Sequence, residues 1–169
     1  FYYVPNPQLG GQLLSTLEQN IVAQLGVDTP ESLYARAVLL SQPGNHSLGF
    51  NSEGIDLINQ LLVNFPDSAL AQASIVHLRL GNLYREVKLP LSAARAFQRA
   101  TQLTAECTET ATQAYLGLGL IHTDPSLVAE LMNLSLENSS CLLQPTGFAE
   151  EYARVCALVG DICADFRPL

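Results

Sequence analysis

Apolar residues in this chain recur every three or four positions, which is the period of an α-helix with one buried face. The first clear stripe runs from Gln12 to about Leu25, and Gly26 then provides a helix stop. No stretch shows the strict alternation of apolar and polar residues that a half-buried strand requires. The pattern therefore predicts an all-α fold. Residues 1–11, which are aromatic and rich in proline and glycine, are predicted to form an extended arm.

Residues that cap helices divide the rest of the chain. Thr29 and Asp124 each precede a proline. Such a pair starts a helix because the side chain of its first residue accepts a hydrogen bond from a free backbone amide. Proline at the first helical position loses no hydrogen bond, since the amide there has no partner within the helix. The first of these two helices is predicted to end at about Gln42, before a polar loop. Five further helices are predicted. One ends at Pro66, two span Ser68–Val87 and Leu91–Thr104, one lies around Tyr115–His122 and the last starts at Thr146.

Two neighbouring helices carry a spaced set of small and large residues. Leu80, Gly81 and Tyr84 have the spacing L-G-x2-Y, and Ala93 with Phe97 has the spacing A-x3-F. Glycine and alanine are small enough to let two helix backbones approach, and the larger side chains fill the space around that contact. The set resembles the core of a tetratricopeptide repeat.

The resemblance has consequences for the architecture. The glycine frame recurs at Gly119 and, loosely, at Gly160, at intervals longer than the family repeat of about 34 residues. The resemblance implies an α-solenoid of antiparallel helix pairs, a TPR-like right-handed superhelix, in one domain over residues 1–169. A plain helical bundle is the alternative. Because the chain starts at Phe1, without methionine or a signal sequence, we expect it to be part of a larger protein.

Tetratricopeptide domains bind partners in a concave groove lined by the first helix of each pair. The resemblance therefore implies a protein–protein interaction module or scaffold that holds a peptide or an amphipathic helix of another protein. Leu78 and Leu116 replace the lysines of members that grip a carboxylate tail, so we expect an apolar ligand. The alternative is a purely architectural segment of a larger α-solenoid or multi-subunit complex with no peptide ligand. The groove positions correspond to Leu78, Asn82, Arg85, Glu86, Leu116, Leu120 and Thr123.

Charge and composition narrow the kinds of partner. The net charge is −8 and Lys88 is the single lysine, which argues against a nucleic-acid surface because phosphate binding needs clustered cations. No apolar run reaches the roughly 18 residues of a membrane span. We therefore expect neither nucleic-acid binding nor membrane insertion.

Residues with possible chemistry do not form a catalytic or metal-binding pattern. No nucleophile with a base, carboxylate pair or Cys/His cluster has a suitable spacing, so we expect no enzyme activity, no catalytic residue, no metal and no cofactor. An all-helical enzyme or ligand-binding domain is a third possibility without positive support. His77 and His122 are interpreted as aromatic substitutes in core positions. Glu106 and Glu109 are interpreted as exposed acids at a helix start.

The four cysteines lie in the C-terminal half and contain no CxxC pair. Cys156 and Cys163 fall on one helix face, and we expect all four to be reduced and structural. A disulfide between Cys107 and Cys141 stays open as the alternative. The compartment is not determined, with the cytoplasm slightly favoured. Glycosylation sequons, which would be used only in a secretory compartment, occur at Asn45, Asn133 and Asn138.

Overall fold

The computed structural model describes residues 7–42 and 50–140. Within these ranges the backbone forms seven α-helices and no strand, which confirms the predicted all-α class for this part of the chain. The predicted helix from Thr146 and the frame at Gly160 lie outside the described residues. In chain order the helices are α1 (Pro7–Leu25), α2 (Pro30–Leu40), α3 (Asn51–Asn64), α4 (Ser74–Glu86), α5 (Pro90–Leu103), α6 (Glu109–Ile121) and α7 (Pro125–Ser140).

The chain divides into two compact units, Phe1–Gln72 and Ala73–Leu169. In the first unit, α2 packs against both α1 and α3. Leu33 of α2 and Ile58 of α3 are fully buried. Arg36 of α2 also forms an ion pair with Glu18 of α1 at 2.8 Å, which contributes little stability because both side chains are partly exposed. Apolar burial on α2 and α3 therefore holds this unit together.

Two of the predicted helix starts are correct. The Thr29 hydroxyl accepts a hydrogen bond from the amide of Ser32 at 3.2 Å, and Oδ1 of Asp124 accepts one from the amide of Ser126 at 2.9 Å. The predicted arm is wrong from Pro7 onwards, since residues 7–11 belong to α1, while residues 1–6 lie outside the described part. Proline is tolerated in the first turn of a helix, and each glycine lowers helix stability by only about 1 kcal/mol.

The helix predicted over residues 68–87 is too long, because α4 begins at Ser74. The Ser68 hydroxyl accepts a hydrogen bond from the amide of Ala71 at 3.1 Å. The side chain of Gln72 donates to the carbonyl of Pro66 at 2.9 Å. These local bonds compete with the helical pattern. They form a turn where the first unit ends.

Phe97 of α5 lies between α4 and α6 in the second unit. Its side chain is fully buried and lies against Gly81 of α4 and Gly117 of α6. A Cβ atom added to Gly81 would lie 2.6 Å from the ring, and one added to Gly117 would lie 2.5 Å from it. Carbon atoms do not pack at such short distances. Each helix can therefore approach the ring this closely only because it has glycine at the contact position. The contact between Gly81 and Phe97 is the one that the L-G-x2-Y and A-x3-F spacings predict.

The second glycine contact lies two residues before the predicted one. A Cβ atom added to Gly119 would meet Sδ of Met132 at 3.4 Å, an ordinary contact distance. Residues two apart are about 200° apart around a helix. Gly117 therefore faces α5, whereas Gly119 faces α7.

The two glycines of α6 provide a matched test of this packing. We expect Gly117→Ala to lower the free energy of unfolding by about 2 kcal/mol or more, because the new methyl group overlaps the enclosed ring of Phe97. Gly119→Ala should cost less than about 1 kcal/mol, since the flexible Met132 side chain can move. Gly11→Ala, with no atom within 4 Å of the new Cβ, should stabilise by about 0.5–1 kcal/mol.

Urea denaturation of the three variants measures these differences. Equal losses for Gly117→Ala and Gly119→Ala would show that Gly117 is not at a close contact.

Candidate functional site

Two of the three leucines of the predicted groove, Leu78 and Leu116, lie in the core. The side chain of Leu78 is 7% exposed and that of Leu116 is 1% exposed. Leu78 belongs to the cluster around Phe97, and Leu116 packs with residues of α7. Neither of these two leucines is therefore exposed, as a groove lining for an apolar ligand would require, because α4 contacts α6 and α7 covers one side of α6.

The other five predicted groove residues remain accessible. Glu86 and Thr123 are exposed, and the rest are partly exposed. They lie at the C-terminal turns of α4 and α6 or just beyond them, and we call them the helix-end surface. Their role in binding stays a prediction. The set is Asn82, Arg85, Glu86, Leu120 and Thr123.

The environments of His77 and His122 differ. His77 is buried within α4, as predicted for a core position. His122 is partly exposed and ends α6, where its backbone amide donates to the carbonyl of Leu118 at 3.3 Å. The core position predicted for His122 is therefore wrong, since the helix ends before a further turn can bury it.

The connection between α5 and α6 is fixed at Cys107. This residue is disulfide-bonded, so the prediction that it is reduced is wrong. The other three cysteines, Cys141, Cys156 and Cys163, all lie outside the described residues, and the partner of Cys107 is one of them. The backbone of Cys107 has φ of 59°, and its amide donates to Oδ1 of Asn138 on α7 at 2.9 Å. A disulfide that joins distant parts of the chain leaves no short spacing signal in the sequence.

Further hydrogen bonds hold the same region in place. Nδ2 of Asn138 donates to the carbonyl of Leu134 at 2.8 Å. This bond orients the Asn138 side chain, whose Oδ1 accepts the hydrogen bond from the backbone amide of Cys107. The hydroxyls of Thr104 and Thr108 are 2.7 Å apart, and the Thr108 hydroxyl also caps α6 by accepting from the amide of Ala111 at 3.1 Å. The connection is therefore attached to both α6 and α7.

A cleft of about 260 Å³ opens beside this connection. It lies between the end of α5, the start of α6 and the end of α7, and we call it the α5–α7 cleft. None of the described residues that line it is arginine, lysine or histidine. The sequence did not indicate this site, because its residues come from three helices. Its lining includes Thr104, Glu106, Tyr115, Leu134, Glu137 and Asn138.

Among the described residues, no group of three or more His, Cys, Asp or Glu side chains could hold a metal ion. In the same part of the chain, no helix is both long enough and apolar enough to cross a membrane. Comparisons of the chain with protein-family models, curated proteins and solved structures found no match.

Replacing Cys107 tests the disulfide. We expect Cys107→Ser to expose one more free thiol than the wild type when the unreduced proteins are unfolded and titrated, since the partner cysteine loses its bridge. The variant should also be less stable by about 2–4 kcal/mol, because the unfolded chain gains conformational freedom.

Reduced wild-type protein is the control, and it should be no more stable than Cys107→Ser, because reduction breaks the Cys107 bridge together with any other. A variant with one thiol fewer than the wild type would show instead that Cys107 is free in solution.

Proposed function

We propose that this chain is a divergent tetratricopeptide-like helical-repeat domain that binds another protein. The observation that carries the proposal is the contact of Gly81 with Phe97, because it joins the two spacings on which the resemblance rests. The packing of α4 with α5 and of α6 with α7 supports two helix pairs. Antiparallel pairing within a solenoid is part of the proposal.

The partner would bind at the helix-end surface. Since Leu78 and Leu116 are buried, a ligand there meets the partly exposed Leu120 among polar and charged groups. Arg85 and Glu86 offer charges of both signs, and Asn82 offers an amide that can donate and accept. Such a surface suits a peptide or an amphipathic helix that combines an apolar anchor with hydrogen-bonding groups.

A second candidate, an architectural segment of a larger assembly, is favoured by the outer face of α1. Leu13, Leu17 and Leu25 are 52%, 40% and 42% exposed. They follow one another at multiples of four residues, with Ile21 between them, so they form an apolar ridge along the helix. A ridge of this kind usually packs against another helix. In that case the assembly would cover α1, and the helix-end surface would have no peptide ligand.

Site-specific photo-crosslinking separates the two functions. A photoreactive benzoylphenylalanine is placed at Glu86, Thr123, Leu17 or the exposed Gln98 in protein expressed in cells of the source organism. We expect Glu86 and Thr123 to capture the same protein and the control position Gln98 to capture none. Arg85→Ala should lower that capture about fivefold or more, as expected for loss of a contact worth over 1 kcal/mol.

Two results would contradict the proposal. Equal capture from Gln98 would mean that the helix-end surface is not the binding site. Capture from Leu17 alone, unaffected by Arg85→Ala, would favour the architectural function.

A further inference from the structure

The α5–α7 cleft combines an apolar wall with carboxylates. The geometry points to this cleft as a receptor for the side chain of an arginine or lysine from a partner protein. The inference rests on the proposed function, because a bound protein supplies the side chain. The cleft shares no residue with the helix-end surface, so the two sites can be tested separately.

The size of the cleft limits what it can hold. Pockets for drug-sized ligands have volumes of roughly 300–1,000 Å³, and this cleft, at about 260 Å³, is smaller. It is also partly open to solvent. A single extended side chain fits such a space, with its backbone remaining outside.

The lining matches the two parts of a basic side chain. Ala111, Leu134 and the ring of Tyr115 provide apolar surface, against which the methylene groups of arginine or lysine can pack. Glu106 and Glu137 are exposed carboxylates in the same lining. They can accept charge-assisted hydrogen bonds from the cationic head, and a guanidinium can also stack on the tyrosine ring.

Charge complementarity favours a cation over other occupants. The described lining contains two acidic residues and no basic one, so an acidic or phosphorylated peptide would be repelled there. The net charge of −8 over the whole chain adds long-range attraction for a basic partner. A wholly apolar side chain would leave the carboxylates without a role in recognition.

The walls of the cleft are held in place without a ligand. Cys107 is fixed by its disulfide and by the 2.9 Å bond of its amide to Asn138. Asn138 is in turn bonded to the carbonyl of Leu134, within the same wall. A site that is already ordered loses less conformational entropy when a side chain enters.

The probe for this site is N-acetyl-arginine N-methylamide, titrated into isotope-labelled full-length protein and followed by backbone amide NMR. We expect saturable shifts at Cys107, Tyr115 and Asn138 with a dissociation constant on the order of 1 mM, a value typical of a single weak contact. The matched probe is N-acetyl-citrulline N-methylamide, which has nearly the same shape without the charge. It should produce no saturable shift at these residues.

Three variants complete the test. Glu106→Gln and Glu137→Gln should each weaken arginine binding about threefold or more, as expected for loss of an exposed charge pair. Glu130→Gln removes an exposed carboxylate of α7 that does not line the cleft, and it should leave binding unchanged. Equal binding of citrulline, equal weakening by all three variants or no binding would overturn the inference. Because the probe needs no partner protein, none of these results would alter crosslinking at the helix-end surface.

Discussion

A methyl group on Gly81 or Gly117 would overlap the ring of Phe97. The absence of a side chain at both positions therefore sets how closely α4 and α6 approach α5. The fully buried ring contributes roughly 1.5–3 kcal/mol by leaving water. Neighbouring helices also bury two residues of the predicted groove, Leu78 in the cluster around Phe97 and Leu116 against α7. The surface that we propose for the partner is therefore limited to the ends of α4 and α6.

A second restriction acts where α5 joins α6. The disulfide of Cys107 and its amide bond to Asn138 attach this connection to another part of the chain and to α7. Residues of this connection line the α5–α7 cleft together with residues of the three helices. Structural disulfides persist mainly in oxidising compartments, so this bridge favours such a compartment over the cytoplasm.

Features that depend on neighbouring residues could be predicted from the sequence. The caps at Thr29 and Asp124 are of this kind, and the contact of Gly81 with Phe97 follows from spacings within one helix pair. Features that depend on a third element could not. Gly117 faces Phe97 because of the rotation of α6, Leu116 is buried because α7 covers it, and the bridge of Cys107 joins segments that no local pattern connects. Ser68 lies outside α4, contrary to the prediction, because its side chain accepts a hydrogen bond from the backbone amide of Ala71.

The most direct test of the close packing is a double-mutant cycle between Phe97→Leu and each glycine. Leucine lacks the Cε and Cζ atoms, which are all three of the ring atoms nearest to Gly117 but only one of the three nearest to Gly81. Phe97→Leu should therefore remove most of the cost of Gly117→Ala, with a coupling energy above about 1 kcal/mol, and less of the cost of Gly81→Ala. Additive free energies of unfolding in both cycles would contradict the account, because the ring would then not be what excludes a side chain at either glycine.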